Sequence, residues 1–198
     1  MMSLIIIASS VFLYALFWVW YVGFGRKASP ELIARALQAL DQHGGHWTSD
    51  THRNHIRQLL ENDDGKEFIM VNLLTFKRPR KQSYKLLNQY YQVFGKSLLK
   101  RAGHPIVVAS SASGKIEFLG VPVDEEWDMA GLMRYRSRSD FAEIVIATAG
   151  SEHHDFKLQA LERTIAFPAS PSTLIGSPRV LVALILALLA SLLHIALV

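Results

Sequence analysis

EWDMAGLMRYRSRSDF, residues 126–141, begins with the period of a strand and ends with the start signal of a helix. Alternation puts Trp127, Met129, Gly131, Met133 and Tyr135 on one face and Asp128, Ala130, Leu132, Arg134 and Arg136 on the other. At Ser137 the run S-R-S-D carries the Ser/Thr-x-x-acid signature of a capped helix. Phe141, Ile144, Val145 and Thr148 then share one helical face. The stretch is the joint of a strand-helix unit, and its neighbours can be assigned by working outward from it.

Upstream, FIMVNLLTF (68–76) is a nearly continuous apolar run interrupted by one amide, Asn72, and reads as a central strand. KRPRK (77–81) reads as a turn, since Pro79 cannot continue a ladder. From Ser83 to Arg101, Tyr84, Leu87, Tyr91, Phe94 and Leu98 recur at helical spacing, and Gly103 stops the helix. PIVVASSASGKIEFLG (105–120) reads as a strand, a polar bend and more strand. Downstream, Gly150 interrupts. Residues 152–163 read as a short helix and 164–170 as a last strand whose Pro168 suits a sheet edge. The order over 66–170 is β-α-β-β-α-β. That predicts an α+β domain of the ferredoxin-like split βαβ kind, at a normal domain size.

The chain of 198 residues is half hydrophobic, and the excess sits at its two ends. Leu4 to Gly25 and Val180 to Val198 carry no charge, while all 21 Lys/Arg and all 17 Asp/Glu lie between Arg26 and Arg179. At roughly 1.5 Å rise per residue either end can cross about 30 Å of hydrocarbon. The first has neither a positive n-region nor an A-x-A-like cleavage site, so it reads as an uncleaved anchor. The last has no polar face to turn to water, so it is not a core helix. Arg26, Lys27 and Arg179 make the domain-facing ends positive. The positive-inside rule then puts the central domain in the cytoplasm and both termini outside. The expected placement is multi-pass, with two spans in a bacterial inner membrane. Residues 1–25 form the first transmembrane helix, 26–65 a helical His-rich linker, 66–170 the domain, and 171–198 a linker and second transmembrane helix. Within 26–65, Pro30–Leu40 is an amphipathic helix capped by Ser29, and residues 49–62 form another.

The absence of cysteine excludes disulfides and thiolate metal sites. The basic runs KRPRKQSYK (77–85) and RYRSR (134–138) fit anionic headgroups beside a tethered domain better than nucleic acid. There is no P-loop and no G-x-G-x-x-G, and no Ser-His-acid set can be assembled. No cofactor is assigned.

MVNLLTFK, a Tyr-rich helix with YY at 90–91, WDMAGLMRYRSRSDF and a helix ending LQALERTIAF together resemble a small domain family of unknown function in the dimeric α/β-barrel superfamily. The match covers roughly half the chain and leaves out the His-rich helices and both spans. Arg136 stands where the family pattern has Pro, and the SEHHDF segment replaces a Pro-Glu-Tyr-like piece. The resemblance implies a homodimer closed sheet against sheet, with ligands between sheet and helices. The superfamily includes cofactor-free monooxygenases, haem-degrading enzymes, isomerases and pure binding domains, so the resemblance does not decide whether this chain is an enzyme.

An amide in an apolar strand must find partners, since a lost buried hydrogen bond costs about 1–3 kcal/mol. Asn72 and Arg134 are candidate catalytic residues that would orient a carbonyl or enolate, with Tyr91, Trp127 and Tyr135 as candidate ligand-binding aromatics around a flat, lipophilic small molecule. The alternative is that Asn72 and Arg134 bond across a dimer interface while Trp127 and Tyr135 are core. His154, on a face with Leu158 and Leu161, is a candidate base or haem ligand, against a capping or surface role. His43, His46, His52 and His55 form two H-x-x-H pairs that could hold zinc, copper or nickel, against plain surface histidines near a membrane. A membrane-anchored protein that binds or processes such a ligand is one expectation. A non-catalytic dimerisation or scaffold subunit of a membrane complex is the other.

Overall fold

The computed structural model describes residues 2–43, 49–149, 152–172 and 176–197, the side chains of His43, Glu152, His153 and His154 excepted. In chain order the elements are α1 (Met2–Val22), α2 (Pro30–His43), α3 (Asp50–Glu61), β1 (Phe68–Phe76), α4 (Arg80–Lys100), β2 (His104–Ser110), β3 (Met129–Tyr135), α5 (Arg138–Ala149), α6 (Glu152–Ala160), β4 (Leu161–Ala169) and α7 (Pro178–Leu197). They fall into two compact units. One is Gly25–Ser170, and the other is Met1–Phe24 with Pro171–Val198.

In the larger unit a four-stranded sheet has the order β2-β3-β1-β4, and every neighbouring pair is antiparallel. β1 lies inside the sheet because it is apolar on both faces. Phe68 sits opposite Tyr135 and Asn72 opposite Gly131 on one side, and Asn72 sits opposite Ala166 on the other. Phe68, Leu74, Met133 and Tyr135 turn toward the helices and join Leu87, Tyr90, Phe94 and Leu98 of α4 and Ile144 of α5 in the main core. The Phe68 and Tyr135 rings stack at 5.0 Å, and Phe141 of α5 meets both edge-on. The opposite sheet face is left open: Val107, Ile165 and Phe167 are 43, 46 and 47 % exposed.

The segment read as a linker folds as α2 and α3. Ala36, Leu60 and Ala142 close a second small core between these helices and α5. The entry is tight, since at Gly65 (φ +73°) a Cβ would lie 2.4 Å from the Gly25 carbonyl oxygen. Helix starts follow the sequence signals. Ser29 and Ser49 accept from Leu32 and His52 amides at 3.2 Å, and Ser137 accepts from Asp140 N at 3.0 Å while Arg136 pairs with the Asp140 carboxylate at 2.7 Å.

α2 runs to His43, past the expected Leu40, and four further element boundaries differ from the sequence reading. α4 begins at Arg80 because Pro79, extended at ψ 138°, serves as its N-cap residue. Strand is absent from 111–128, where the Lys115 ammonium gathers the Pro122 and Val123 carbonyls into a loop. α6 ends at Ala160, since Leu161 and Arg163 pair with Phe76 and Thr75. That long-range ladder overrides the local helical pattern. β3 starts after Asp128, whose buried carboxylate leaves the strand to accept the Phe76 amide at 2.8 Å and to pair with Arg80.

In the smaller unit, α1 and α7 pack on each other. The Tyr14 hydroxyl donates to the Arg179 carbonyl at 3.3 Å, and the Arg179 guanidinium lies over Trp18 and Tyr21. Both helices are long and apolar enough to cross a membrane. Most of their apolar side chains face outward, as with Leu4 at 72 % and Ile195 at 79 % exposure.

Asp128 joins the end of β1 to the start of α4. Asp128→Ala is expected to lower stability by about 1–3 kcal/mol, the cost of leaving the buried Phe76 amide unsatisfied, measured by thermal unfolding of the solubilised chain.

A candidate ligand cavity between sheet and helices

A cavity of about 630 Å³ lies between the inner face of the sheet and α3, α4, α5 and α6. That is within the roughly 300–1,000 Å³ of ordinary small-molecule sites. Its floor is Met70, Asn72 and Leu74 of β1 with Met133 and Tyr135 of β3, and Leu87, Phe94 and Ile144 line the helical side. Ala166 and Pro168, which bound it on the edge strand β4, are exposed to solvent.

The polar groups of this cavity are held rigidly. Asn72 Nδ2 donates to the Met70 and Gly131 carbonyls at 3.0 and 3.2 Å. Two acceptors on one side fix the amide's orientation, so Oδ1 points away from them, and no donor among the described residues reaches it. Tyr91 and Tyr135 both line the cavity, and neither hydroxyl is hydrogen-bonded among the described residues. Burial raises the pKa of both phenols, and for Tyr135 the neighbouring Tyr91 adds to the effect. Burial likewise holds Tyr90 well above the usual tyrosine value, with smaller contributions from Tyr135 and Tyr91. All three stay neutral and can donate.

Two cations complete the lining. Lys157 of α6 is half-buried, with its ammonium 5.8 Å from the centre of the Tyr90 ring. No carboxylate pairs with it among the described residues, and burial lowers its pKa. Arg138 of α5 bonds the Asn62 carbonyl and lies 3.4 Å from Asp64, but its Nε is buried without a hydrogen bond.

The structure brings together only part of the set read from sequence. Asn72, Tyr91 and Tyr135 line one cavity, and His52 and His55 of α3 line it too. Arg134 does not. It sits opposite Ile69 on the other sheet face, 1 % exposed, its Nε 2.6 Å from the Glu67 carboxylate and its Nη1 donating to Ala102 O at 2.7 Å. Arg134 therefore clamps the C-terminal turn of α4 onto the sheet. Its charge is paired with Glu67, and it does not line the cavity that holds Asn72. Trp127 precedes β3 and is not among the cavity residues. His46 and the side chains of His43 and His154 lie outside the described residues. Among the described residues no group of three or more metal-binding side chains occurs.

Sequence reasoning missed Lys157, Tyr90 and Arg138. Tyr90 stood in the quoted YY pair, but only the ring at helical spacing was taken. Lys157 in HDFKLQA looks like a solvated helix residue, and nothing local marks its burial. Chemically, the cavity offers apolar walls, neutral phenolic donors, one amide acceptor and a desolvated ammonium. That set suits orienting a bound molecule.

No family model matches the sequence, and no curated protein matches it. Among solved structures it is similar to RPA0582, a protein of unknown function from Rhodopseudomonas palustris. One crystal structure aligns with a TM-score of 0.52 at 18 % identity, over 64 % of this chain and 96 % of that one. A methylated form of RPA0582 aligns at 0.51 and 18 % identity, over 66 % and 96 %. The chain thus shares its α+β fold with a structure of that length, and at this identity the likeness carries the fold alone.

Arg134→Ala is expected to destabilise the chain by about 3–5 kcal/mol, since it strands the Glu67 carboxylate beside a buried carbonyl. Lys157→Met is expected to leave the melting temperature unchanged or raised, because it removes a desolvated charge that no carboxylate offsets. Thermal unfolding of the two variants side by side checks both outcomes.

Proposed function

We infer that this is a membrane-anchored protein that binds a small lipophilic molecule between its sheet and its helices. The observation that carries the reading is the cavity itself: apolar walls converging on the Asn72 carbonyl oxygen and two phenols without partners among the described residues. These atoms open onto the cavity, and a few convergent polar groups among apolar walls are what a small-molecule site presents to its ligand. The outward-facing apolar surfaces of α1 and α7 support a bilayer anchor. The positive flanks Arg26, Lys27 and Arg179 support a cytoplasmic domain. A domain held at the membrane meets lipophilic molecules without extracting them into water. The element order from β1 to β4 and the antiparallel order β2-β3-β1-β4 support the ferredoxin-like reading of the fold. Cofactor-independent oxygenation or isomerisation is the chemistry this reading allows, with Asn72, Tyr91 and Tyr135 orienting the substrate. Binding alone needs nothing more than the cavity.

A second reading, a dimerisation or scaffold role, has its own observation. Val107, Ile165 and Phe167 leave one apolar sheet face open. A second copy closing sheet against sheet would bury it. The two readings are compatible on one chain, since they use opposite sheet faces.

Native mass spectrometry of the gently solubilised chain separates them. Wild type is expected to carry a stoichiometric non-lipid small molecule that Ala166→Trp, which fills the cavity from β4, excludes without unfolding the chain. Wild type with nothing bound contradicts the ligand reading. In the same instrument, Ile165→Asp, on the open face and outside the cavity lining, is expected to convert dimers to monomers while the bound mass persists. A wild type that is monomeric at micromolar concentration contradicts the sheet-to-sheet dimer.

A further inference from the structure

We propose that the cavity selects an anionic amphiphile, a compact carboxylate or phosphate head on an apolar body, with Lys157 as the group that holds the head. The inference rests on the cavity being a ligand site and adds the charge of its occupant. The cavity's described ionisable lining consists of Lys157, Arg138, His52, His55 and the neutral tyrosines, with no Asp or Glu. A lysine buried for structural reasons finds a carboxylate, because an uncompensated ammonium in an apolar site is costly. Lys157 has none among the described residues, and its ammonium lies 5.8 Å from the centre of the Tyr90 ring. Arg138 has two partners on its Nη1, the Asn62 carbonyl and the Asp64 carboxylate, while its Nε is buried without a hydrogen bond.

An anion entering this space is the one ligand chemistry that offsets the ammonium. It would accept charge-assisted hydrogen bonds from Lys157 and ordinary ones from the Tyr91 and Tyr135 hydroxyls. The apolar body of the ligand would lie against Leu74, Leu87, Phe94, Met133 and Ile144, which make up much of the lining. The exposed edge strand at Ala166 and Pro168 gives the apolar body its way in. A cationic or zwitterionic ligand would place a positive charge against Lys157 with no acid to receive it.

The test uses the full chain in phosphatidylcholine nanodiscs, titrated calorimetrically with decanoate, decyl phosphate and methyl decanoate, with empty nanodiscs subtracted. At least one of the two anions is expected to bind about 10- to 100-fold more tightly than the ester, the range of a charge-assisted hydrogen bond. The tighter of the two identifies the head. Lys157→Met is expected to abolish the preference while ester binding persists, and Lys157→Arg to keep it, which separates lost charge from lost fold. Equal binding of anions and ester overturns the proposal and leaves the lipophilic cavity standing. A preference that survives in Lys157→Met overturns the role of Lys157. No binding of any probe overturns both the proposal and the ligand reading beneath it.

Discussion

β1 is hydrogen-bonded along both edges, to β3 on one side and β4 on the other, and the rest of the larger unit hangs from that strand. A strand paired on both sides has no backbone freedom left, so its side chains are committed to two fixed faces. One face, through Phe68 and Leu74, nucleates the helix-covered core. The same face carries Asn72, whose amide is held by two backbone carbonyls. The cavity therefore has a rigid floor, and its polar groups stand on strands, not on loops. The ends of β1 are fixed as firmly. Asp128 binds the Phe76 amide, and the Arg134–Glu67 pair holds the neighbouring strand to the turn after α4.

The periodic parts of this architecture were readable from sequence. The nine residues of β1, the Ser137 cap, Leu87, Phe94 and Leu98 on the buried face of α4 and the edge position of the Pro168 strand follow from local pattern, and the structure has them. The two terminal helices were equally plain, since each is an uncharged apolar run long enough to cross a membrane. What failed depended on contacts distant in sequence. Residues 161–163 look helical until Phe76 and Thr75 are available to pair with them. Residues 115–120 look like strand until Lys115 collects the carbonyls that a ladder would have used.

The candidate site divides along the same line. Alternation correctly separated Tyr135 from Arg134. It could not say which face would meet the helices, so Arg134 entered the same list as Asn72. Glu67, just before β1, pairs with Arg134 on the face away from the cavity. Trp127 was placed by extending β3 too far upstream. Lys157 was invisible because its burial comes from α4 and the sheet, not from its own helix. Polar groups left without partners mark a site only after the partners have been searched for in three dimensions.

The central claim is that a ligand occupies the space between β1, β3 and α4. 3-Fluorotyrosine labelling of the full chain, which has six tyrosines, tests it most directly by fluorine NMR in nanodiscs during titration with decanoate. The resonances of Tyr91 and Tyr135 are expected to shift in a saturable way while that of Tyr84, outside the cavity lining, stays fixed. Unmoved Tyr91 and Tyr135 signals, or a uniform drift of all six, would contradict it.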